Sequence, residues 1–435
     1  MIIKNGIVFD SKNNINGKKL DIQIEKGKIK KIAQKISSEN DRVINARERW
    51  IIPGIIDMHA HLREPGETQK ETIETGTLSA ARGGITTLLA MPNTIPPIDN
   101  PSIIKKIKEL IGKKALINVL ITSTITKKRA GKQVVSFREN KEAGCIAFSD
   151  DGSGLQNLEI MTEACKITAR EKILLIEHPE IILLSQKAPL SYGKLSRRLN
   201  MTGQVAEAES LSILMLGTIA GINNARVHFT HISTSKSIDA IKLLKEYYPS
   251  LITCDCTPHH LILSEEILKN NLDTNKKMNP PLRPESDRKA LEKAIFDGII
   301  DAIVTDHAPH LEKEKSLGFQ YAPFGTIGFE TLLPSTYTFL VKEKGMKILD
   351  WLKLLTYKPA IILDINRGSI EKGKSADITI FNPRKKVIIT REFFASKSRN
   401  SAFLGKKFYG CVEYTIVDGK IIYANLNYKI PQSCN

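Results

Sequence analysis

Cysteine is scarce in this chain: six residues in 435, namely Cys145, Cys165, Cys254, Cys256, Cys411 and Cys434, with no repeated spacing. That excludes a disulfide-stapled scaffold. A chain this long can bury a large core without staples, so the thiols read as reduced and the protein as cytoplasmic. No stretch approaches the roughly 20 apolar residues of a membrane span. Met1-Ile2-Ile3-Lys4-Asn5-Gly6 begins no basic region followed by a long apolar run, so a signal peptide is not expected. Low-complexity linkers and internal repeats are also missing. So is any basic stretch interleaved with stacking aromatics, as a nucleic-acid groove would want. The formal charge of +17 is spread along the chain as lysine among Ile and Asn, which reads as compositional bias. No nucleic-acid partner and no membrane are therefore expected, although the positive field would favour an anionic small-molecule substrate.

What is present is a β-rich segment at each end around a long α/β middle. Residues 1–50 alternate in short runs such as Gly6-Ile7-Val8-Phe9 and Asp21-Ile22-Gln23-Ile24, with turn residues between. The C-terminal region resembles them, in Ala376–Phe381, Lys386–Ile389 and Thr415–Tyr423. The two ends are expected to assemble one small β-sandwich. The middle alternates apolar strand-like runs with amphipathic stretches, the pattern of βα units around a parallel sheet. Eight strand candidates stand out: Ile52–Met58, Thr86–Ala90, Ile117–Ile121, Cys145–Phe148, Ile173–Ile176, Arg226–Thr230, Leu251–Cys256 and Ile300–Thr305. Helical stretches include Ile103–Ile111, Leu158–Ala169, Glu207–Ile219 and Ser237–Tyr247. The expected fold is α/β: a (β/α)8 TIM barrel over residues 53–362, with the sandwich built from 1–52 and 363–435.

In such a barrel the reactive groups sit at the C-terminal strand ends. Here those ends are rich in metal-binding residue types. The first strand ends in His59-Ala60-His61, the fourth in Ser149-Asp150-Asp151, the fifth in Glu177-His178, the sixth in His231 and the eighth in Asp306-His307. Residues i and i+2 of a strand share a side, so His59 and His61 can reach one cation, and imidazole suits zinc. A lone H-x-H is a weak sign. Hydrogen-bonded barrel-mouth histidines would account for one pair, but not for the same theme at five strand ends. Cys254 and Cys256 also share a face, and read better as small barrel-filling residues than as soft ligands.

The segment Pro53-Gly54-Ile55-Ile56-Asp57-Met58-His59-Ala60-His61-Leu62-Arg63-Glu64-Pro65-Gly66 resembles the first signature of the amidohydrolase superfamily in its dihydroorotase form. Met91-Pro92-Asn93-Thr94, Phe148-Ser149-Asp150-Asp151-Gly152, Lys277-Met278-Asn279-Pro280-Pro281-Leu282-Arg283, Thr305-Asp306-His307-Ala308-Pro309-His310 and Ala322-Pro323-Phe324-Gly325-Thr326 match the same family in order. The resemblance covers essentially the whole chain and is nearest to the longer bacterial type I dihydroorotases. It implies a reversible zinc-dependent conversion between dihydroorotate and N-carbamoyl-L-aspartate, the third step of de novo pyrimidine synthesis.

Carried over by position, the resemblance implies one Zn2+ held by His59, His61, Asp151 and Asp306. A second would be held by Asp151, His178 and His231, with Asp151 bridging; whether one or two bind stays open. Arg63, Asn93, Asn279 and His310 would bind substrate, with the Phe324-Gly325 backbone closing over the ring. Asp306 would double as the catalytic proton shuttle. Each role suits its residue type. A carboxylate beside activated water can take and return a proton. Arginine presents a planar fork to a carboxylate, and Asn both donates and accepts. Simple alternatives are a surface Arg63 paired with Glu64 or Glu67, an Asn93 that only caps a turn, and a His310 set behind the site. A homodimer, and association with aspartate carbamoyltransferase, are also implied.

Related dihydropyrimidinases and allantoinases bridge their metals with a carbamylated lysine after the fourth strand. Here the position reads Ser149-Asp150-Asp151, and Lys141 precedes the strand, at the wrong end. Allantoinases typically carry Asn where Arg63 stands. Two other readings remain beside the dihydroorotase one. They are a hydantoinase or allantoinase type of cyclic amidohydrolase, and a non-catalytic partner of aspartate carbamoyltransferase, whose kind usually lacks the ligands retained here. His178-Pro179-Glu180 is unusual, because proline restrains His178 toward extended backbone.

Overall fold

The computed structural model describes residues 1–38 and 41–425, so Cys434 lies outside the described residues. Eight parallel strands follow one another in chain order around a common core. They are β1 (Ile55–Ala60), β2 (Ile85–Ala90), β3 (Asn118–Ser123), β4 (Ala147–Phe148), β5 (Leu174–Glu177), β6 (Arg226–Phe229), β7 (Ile252–Cys256) and β8 (Ala302–Ile303). β1 and β2 are buried at every position. That is what a parallel sheet covered on both faces requires, and it explains their continuous apolar runs. Between β1 and β8 the ring is drawn together just past the strand ends. Ala60 bridges His307 in parallel, and the His61 N–H donates to the His307 carbonyl at 2.9 Å.

The outer helices start where local chemistry starts them. Thr72 caps the helix Ile73–Arg82, Asn100 with Pro101 opens Pro101–Lys114, Asn157 caps Leu158–Glu171, and Thr234 caps Ser235–Tyr247. Each capping oxygen accepts from an N–H that has no carbonyl partner in the first turn. The βα connections that precede these helices carry the side chains at the barrel mouth.

Both chain ends contribute to a second sheet, as expected. It contains Ile2–Asp10, Ile15–Glu25, Lys28–Ala33, Val43–Asn45 and Trp50–Pro53 from the N-terminal side. Ile378–Ile388, Lys407–Val417 and Lys420–Ala424 come from the other. Trp50–Pro53 joins the two sets, parallel to Ile2–Asp10 and antiparallel to Ile378–Ile388. Ile3, Val8, Ile22, Ile51, Ile378 and Ile416 form its own core.

Two elements differ from their sequence expectation. The run Ile52–Met58 is not one strand. It divides at Gly54, with Trp50–Pro53 in the terminal sheet and Ile55–Ala60 in the barrel. A Cβ at Gly54 would run into the Thr86 side chain, so the crossing between sheets needs glycine there. At the other end, Ala376–Phe381 and Lys386–Ile389 join into one strand, Ile378–Ile388, whose register shifts between Asn382 and Lys386. A bulge takes up the polar residues that look like a turn in the sequence.

Candidate metal centre and active site

β1 aims His59 and His61 into the barrel mouth, and Asp151, His178, His231 and Asp306 arrive from the ends of β4, β5, β6 and β8. All six are between 1% and 6% exposed. His59 Nε2 lies 3.3 Å from Asp151 Oδ1 and 3.6 Å from Asp306 Oδ1. His61 Nε2 lies 3.2 Å from Asp306 Oδ1 and 3.7 Å from Asp151 Oδ2. On the other side of Asp151, His178 Nδ1 is 3.8 Å from Oδ1 and 3.0 Å from His231 Nε2. Two groups of ligand atoms result, one of His59, His61 and Asp151 and one of Asp151, His178 and His231. Asp151 is common to both.

The donor set fits divalent cations. His59 Nε2 is buried, faces two carboxylates and has no hydrogen-bond partner. Burial opposes charge on His59, yet the carboxylates of Asp151, Asp306 and Asp255 outweigh it and raise its pKa to about 9. The position therefore calls for positive charge. Burial would neutralise Asp151 and Asp306, but the surrounding imidazoles hold both below the ordinary carboxylate range. Burial, with His178 and His59 beside it, keeps His231 neutral. The ionised carboxylates and the neutral His231 are in the forms that bind a metal, and a cation would take the place of the proton that the carboxylates otherwise hold on His59.

A further layer orients these ligands, and the sequence reading missed most of it. His59 Nδ1 meets Thr230 Oγ1 at 2.8 Å, and the Thr230 hydroxyl is 3.1 Å from Asp255. Asp57 accepts from the Thr305 amide at 3.0 Å and from the His59 amide at 3.3 Å, tying β1 to β8 beneath Asp306. His178 Nε2 lies 3.0 Å from Glu180, which also accepts from Asn279 at 3.1 Å and Gln204 at 3.2 Å. Arg283 is buried against Glu209 and donates to Gln204 at 2.7 Å, anchoring the same network. Glu180 stands two residues past His178, a spacing that could have flagged it. Thr230 follows β6 and Asp255 lies on β7, and no local pattern pairs them. Such partners fix the tautomer and ring plane of a ligating histidine.

The expected substrate residues divide in two. Asn93 and Asn279 lie against the ligands. Asn93 Oδ1 is 2.9 Å from His61 Nδ1, and its amide donates to Asp151 at 3.0 Å. Asn279 Nδ2 is 3.1 Å from His178 Nε2. Arg63, His310, Phe324 and Gly325 form a second cluster on the rim. Arg63 Nε donates to the Pro309 carbonyl at 3.3 Å, and Arg63 Nη2 is 3.4 Å from His310 Nε2. His310 Nε2 donates to the Phe324 carbonyl at 2.7 Å. Glu67 is 3.9 Å from Arg63, so that pairing exists, but the arginine is half-buried rather than a free surface group. Arg63, His231 and Asp306 hold positive φ, at 58°, 39° and 46°. Strained backbone of this kind concentrates at functional sites.

Other residues take structural places. His307 stacks on Phe329 at 3.8 Å and accepts from the Gly328 amide at 3.2 Å. His260 bonds Thr257 and the Pro280 carbonyl, each at 2.8 Å. Cys254 and Cys256 are buried within the barrel. Burial pushes the Cys254 thiol up to about 12, which leaves it protonated and inert. Lys141 donates to the Glu171 carbonyl on the exposed side, away from the mouth.

The amidohydrolase family model matches residues 50–422. The chain is 40% identical over 429 residues to a protein from Elusimicrobium minutum named dihydroorotase, covering 99% of each chain. A dihydroorotase from Aquifex aeolicus is 40% identical, over 97% of this chain and 99% of that protein. The chain belongs to the amidohydrolase family, among its dihydroorotases. Amidohydrolases are metal-dependent, and the two His/Asp groups at the mouth accord with that. Solved amidohydrolase-type structures share the fold at lower identity. A dihydropyrimidinase from Brevibacillus agri superposes with a TM-score of 0.85 at 20% identity, over 98% of this chain and 95% of that one. An L-hydantoinase from Arthrobacter aurescens does so with a TM-score of 0.86 at 22% identity, over 97% and 95%. Among the described residues of this family member, no helix is long and apolar enough to cross a membrane.

Proposed function

We propose that the chain is a zinc-dependent dihydroorotase. It opens the ring of dihydroorotate to N-carbamoyl-L-aspartate and closes it in the biosynthetic direction. The observation that carries this reading is the half-buried Arg63 beside His310 on the rim of a two-group His/Asp cluster. A fixed guanidinium beside a hydrolytic centre suits a cyclic amide that carries a carboxylate, and an uncharged ureide has no use for it. Near-full-length identity to proteins named dihydroorotase supports the same choice.

His59, His61, Asp151 and Asp306 would hold one zinc, and Asp151, His178 and His231 a second. When bound, zinc supplies Lewis acidity toward the ring carbonyl and lowers the pKa of water toward about 7. The chain's own groups do the rest. Arg63, His310 and Asn93 grip the exocyclic carboxylate, while Asn279 and the Phe324–Gly325 backbone orient the ring. Asp306 accepts the proton of the attacking water as the new C–O bond forms. It returns that proton to the ring nitrogen as the C–N bond breaks. Glu180 and Thr230 keep His178 and His59 in one tautomer.

The catalytic barrel spans residues 53–362 in this reading, with 1–52 and 363–435 as the accessory unit. The reading includes a cytoplasmic homodimer. Sedimentation velocity, alone and with aspartate carbamoyltransferase, tests the oligomer and the association. The deciding experiment is dihydroorotate hydrolysis by purified protein before chelation, after it, and with zinc restored. Turnover lost and regained with zinc supports substrate and metal together. Turnover of a neutral hydantoin but not dihydroorotate would replace this reading with a hydantoinase. Zinc binding without turnover of either would favour the non-catalytic partner.

A further inference from the structure

We propose that Lys315 is a positioning residue for substrate binding, its ammonium fastening the Pro323–Gly325 segment to the Lys277–Asn279 loop so that both close over the ring as one unit. The inference rests on the reading above insofar as these loops meet substrate.

Lys315 lies five residues past His310, at the end of the short helix Glu312–Lys315. Its side chain turns inward and is 5% exposed. Among the described residues no carboxylate is paired with it. Its Nζ faces three backbone carbonyls instead: Pro323 at 2.9 Å, Gly325 at 2.9 Å and Lys277 at 3.4 Å. An ammonium has three N–H donors and a neutral amine only two, so a cradle of three carbonyls matches the charged form.

The three carbonyls belong to the two loops of interest. The Lys277 carbonyl also accepts the Gly325 N–H at 2.9 Å, so one oxygen ties both loops to Lys315. Lys277 Nζ donates to the Gln320 carbonyl at 3.0 Å and lies 4.6 Å from the Phe324 ring centroid. The carbonyls between are all held. Pro323 is held by Lys315, Phe324 by His310, and Gly325 by Lys315 and by Asn400 at 3.2 Å. Removing Lys315 would free Pro323 and weaken Gly325 while leaving the His310 bond in place.

Burying an ammonium without a counter-charge is costly. Burial and the nearby Lys277 charge pull the Lys315 pKa down to about 7. A residue that only filled space would do so better as Met or Leu. What the charge gives in return is a fixed backbone at Phe324–Gly325.

The test uses full-length, metal-loaded protein with Lys315→Met, which keeps the length and removes the donors, and Lys315→Arg. Two readouts are taken: steady-state kinetics on dihydroorotate, and amide hydrogen exchange over residues 316–326. For Lys315→Met, KM should rise at least about tenfold with kcat changed less than about threefold, the signature of lost uniform binding. Exchange at 316–326 should quicken about tenfold or more while the barrel strands and metal content stay unchanged. Lys315→Arg should fall between, and carries the same two readouts if the Met variant does not fold. A KM within about twofold of wild type, unchanged exchange at 316–326, or parallel loss of kcat and metal would overturn the proposal. If wild-type protein does not turn over dihydroorotate, the functional reading fails, and exchange alone still decides whether Lys315 fastens the loops.

Discussion

Asp306 combines three features at one residue: a buried carboxylate, contacts to His59 and His61, and a φ of 46°. Asn tolerates that backbone and has nearly the same shape, so Asp306→Asn tests proton transfer without straining the chain. Turnover should drop by at least about three orders of magnitude, with a circular dichroism spectrum like that of wild type. A variant retaining a tenth of the activity would remove Asp306 from the proton path. Arg63 is the residue that should separate substrates. Arg63→Met should raise KM for dihydroorotate about a hundredfold and scarcely change it for a neutral hydantoin, because a bidentate ion pair contributes roughly 2–3 kcal/mol. Equal effects on both substrates would refute a carboxylate contact. The ligand types were legible in the sequence because His59 and His61 obey the i, i+2 rule of a strand. Thr230, Asp255 and Glu209 were not, since a buried hydroxyl or carboxylate acquires its meaning from a partner on another element.

At the scale of elements, the barrel mouth depends on turns that only certain backbones can make. Gly325 has φ of 136°, and a Cβ there would sit 2.7 Å from Ala308 Cβ and 3.0 Å from His310 Nε2. Gly325→Ala is therefore expected to push the segment off His310. KM for dihydroorotate should rise by about tenfold or more, and stability should fall by about 1–3 kcal/mol in urea unfolding. Unchanged kinetics would show that the segment does not approach the substrate. Strand and helix positions were largely readable, because apolar runs of five or six residues alternate with capped amphipathic stretches. The split at Gly54 was not. Pro53-Gly54 marks the break, but apolar residues on both sides of it read as one run, and burial in either sheet leaves the same composition.

At the scale of the molecule, stability is expected to respond to conditions at two places, the buried His/Asp cluster and a buried carboxyl. Removing metal leaves Asp151 and Asp306 facing imidazoles in a buried space, so chelation should lower the melting temperature and zinc should restore it. An unchanged melting curve under chelation would argue that no structural contribution comes from the metals. A pH effect arises outside the cluster, at Glu330. Burial outweighs its contacts with Ala395, Arg82 and Ser79 and raises its pKa to about 7. The folded state therefore holds a proton that the unfolded state releases nearer its ordinary pKa of 4.5. The stability from Glu330 is complete below that ordinary value and is lost as pH rises through about 7. Between those limits Glu330 contributes a downward slope of up to about 1.4 kcal/mol per pH unit. Glu330→Gln should remove this slope in urea titrations at pH 5, 6 and 7, and an identical pH profile would exclude it.

By itself the sequence determined the alternation of strands and helices, the gathering of His and Asp at one end of them, and the family to which the chain belongs. These follow from local rules, namely side-chain period, capping and motif spacing, and each can be read within a dozen residues. The resemblance already implied Asp151 between two histidine groups; tertiary structure alone decided that Asn93 and Asn279 lean on those candidate ligands. It also decided that Arg63 is half-buried beside His310 and that Lys315 reaches three carbonyls of two loops. Those arrangements join residues as much as 247 positions apart, as in Arg63 and His310. Ring closure and burial bring such residues together, and no short-range pattern encodes the distance between them.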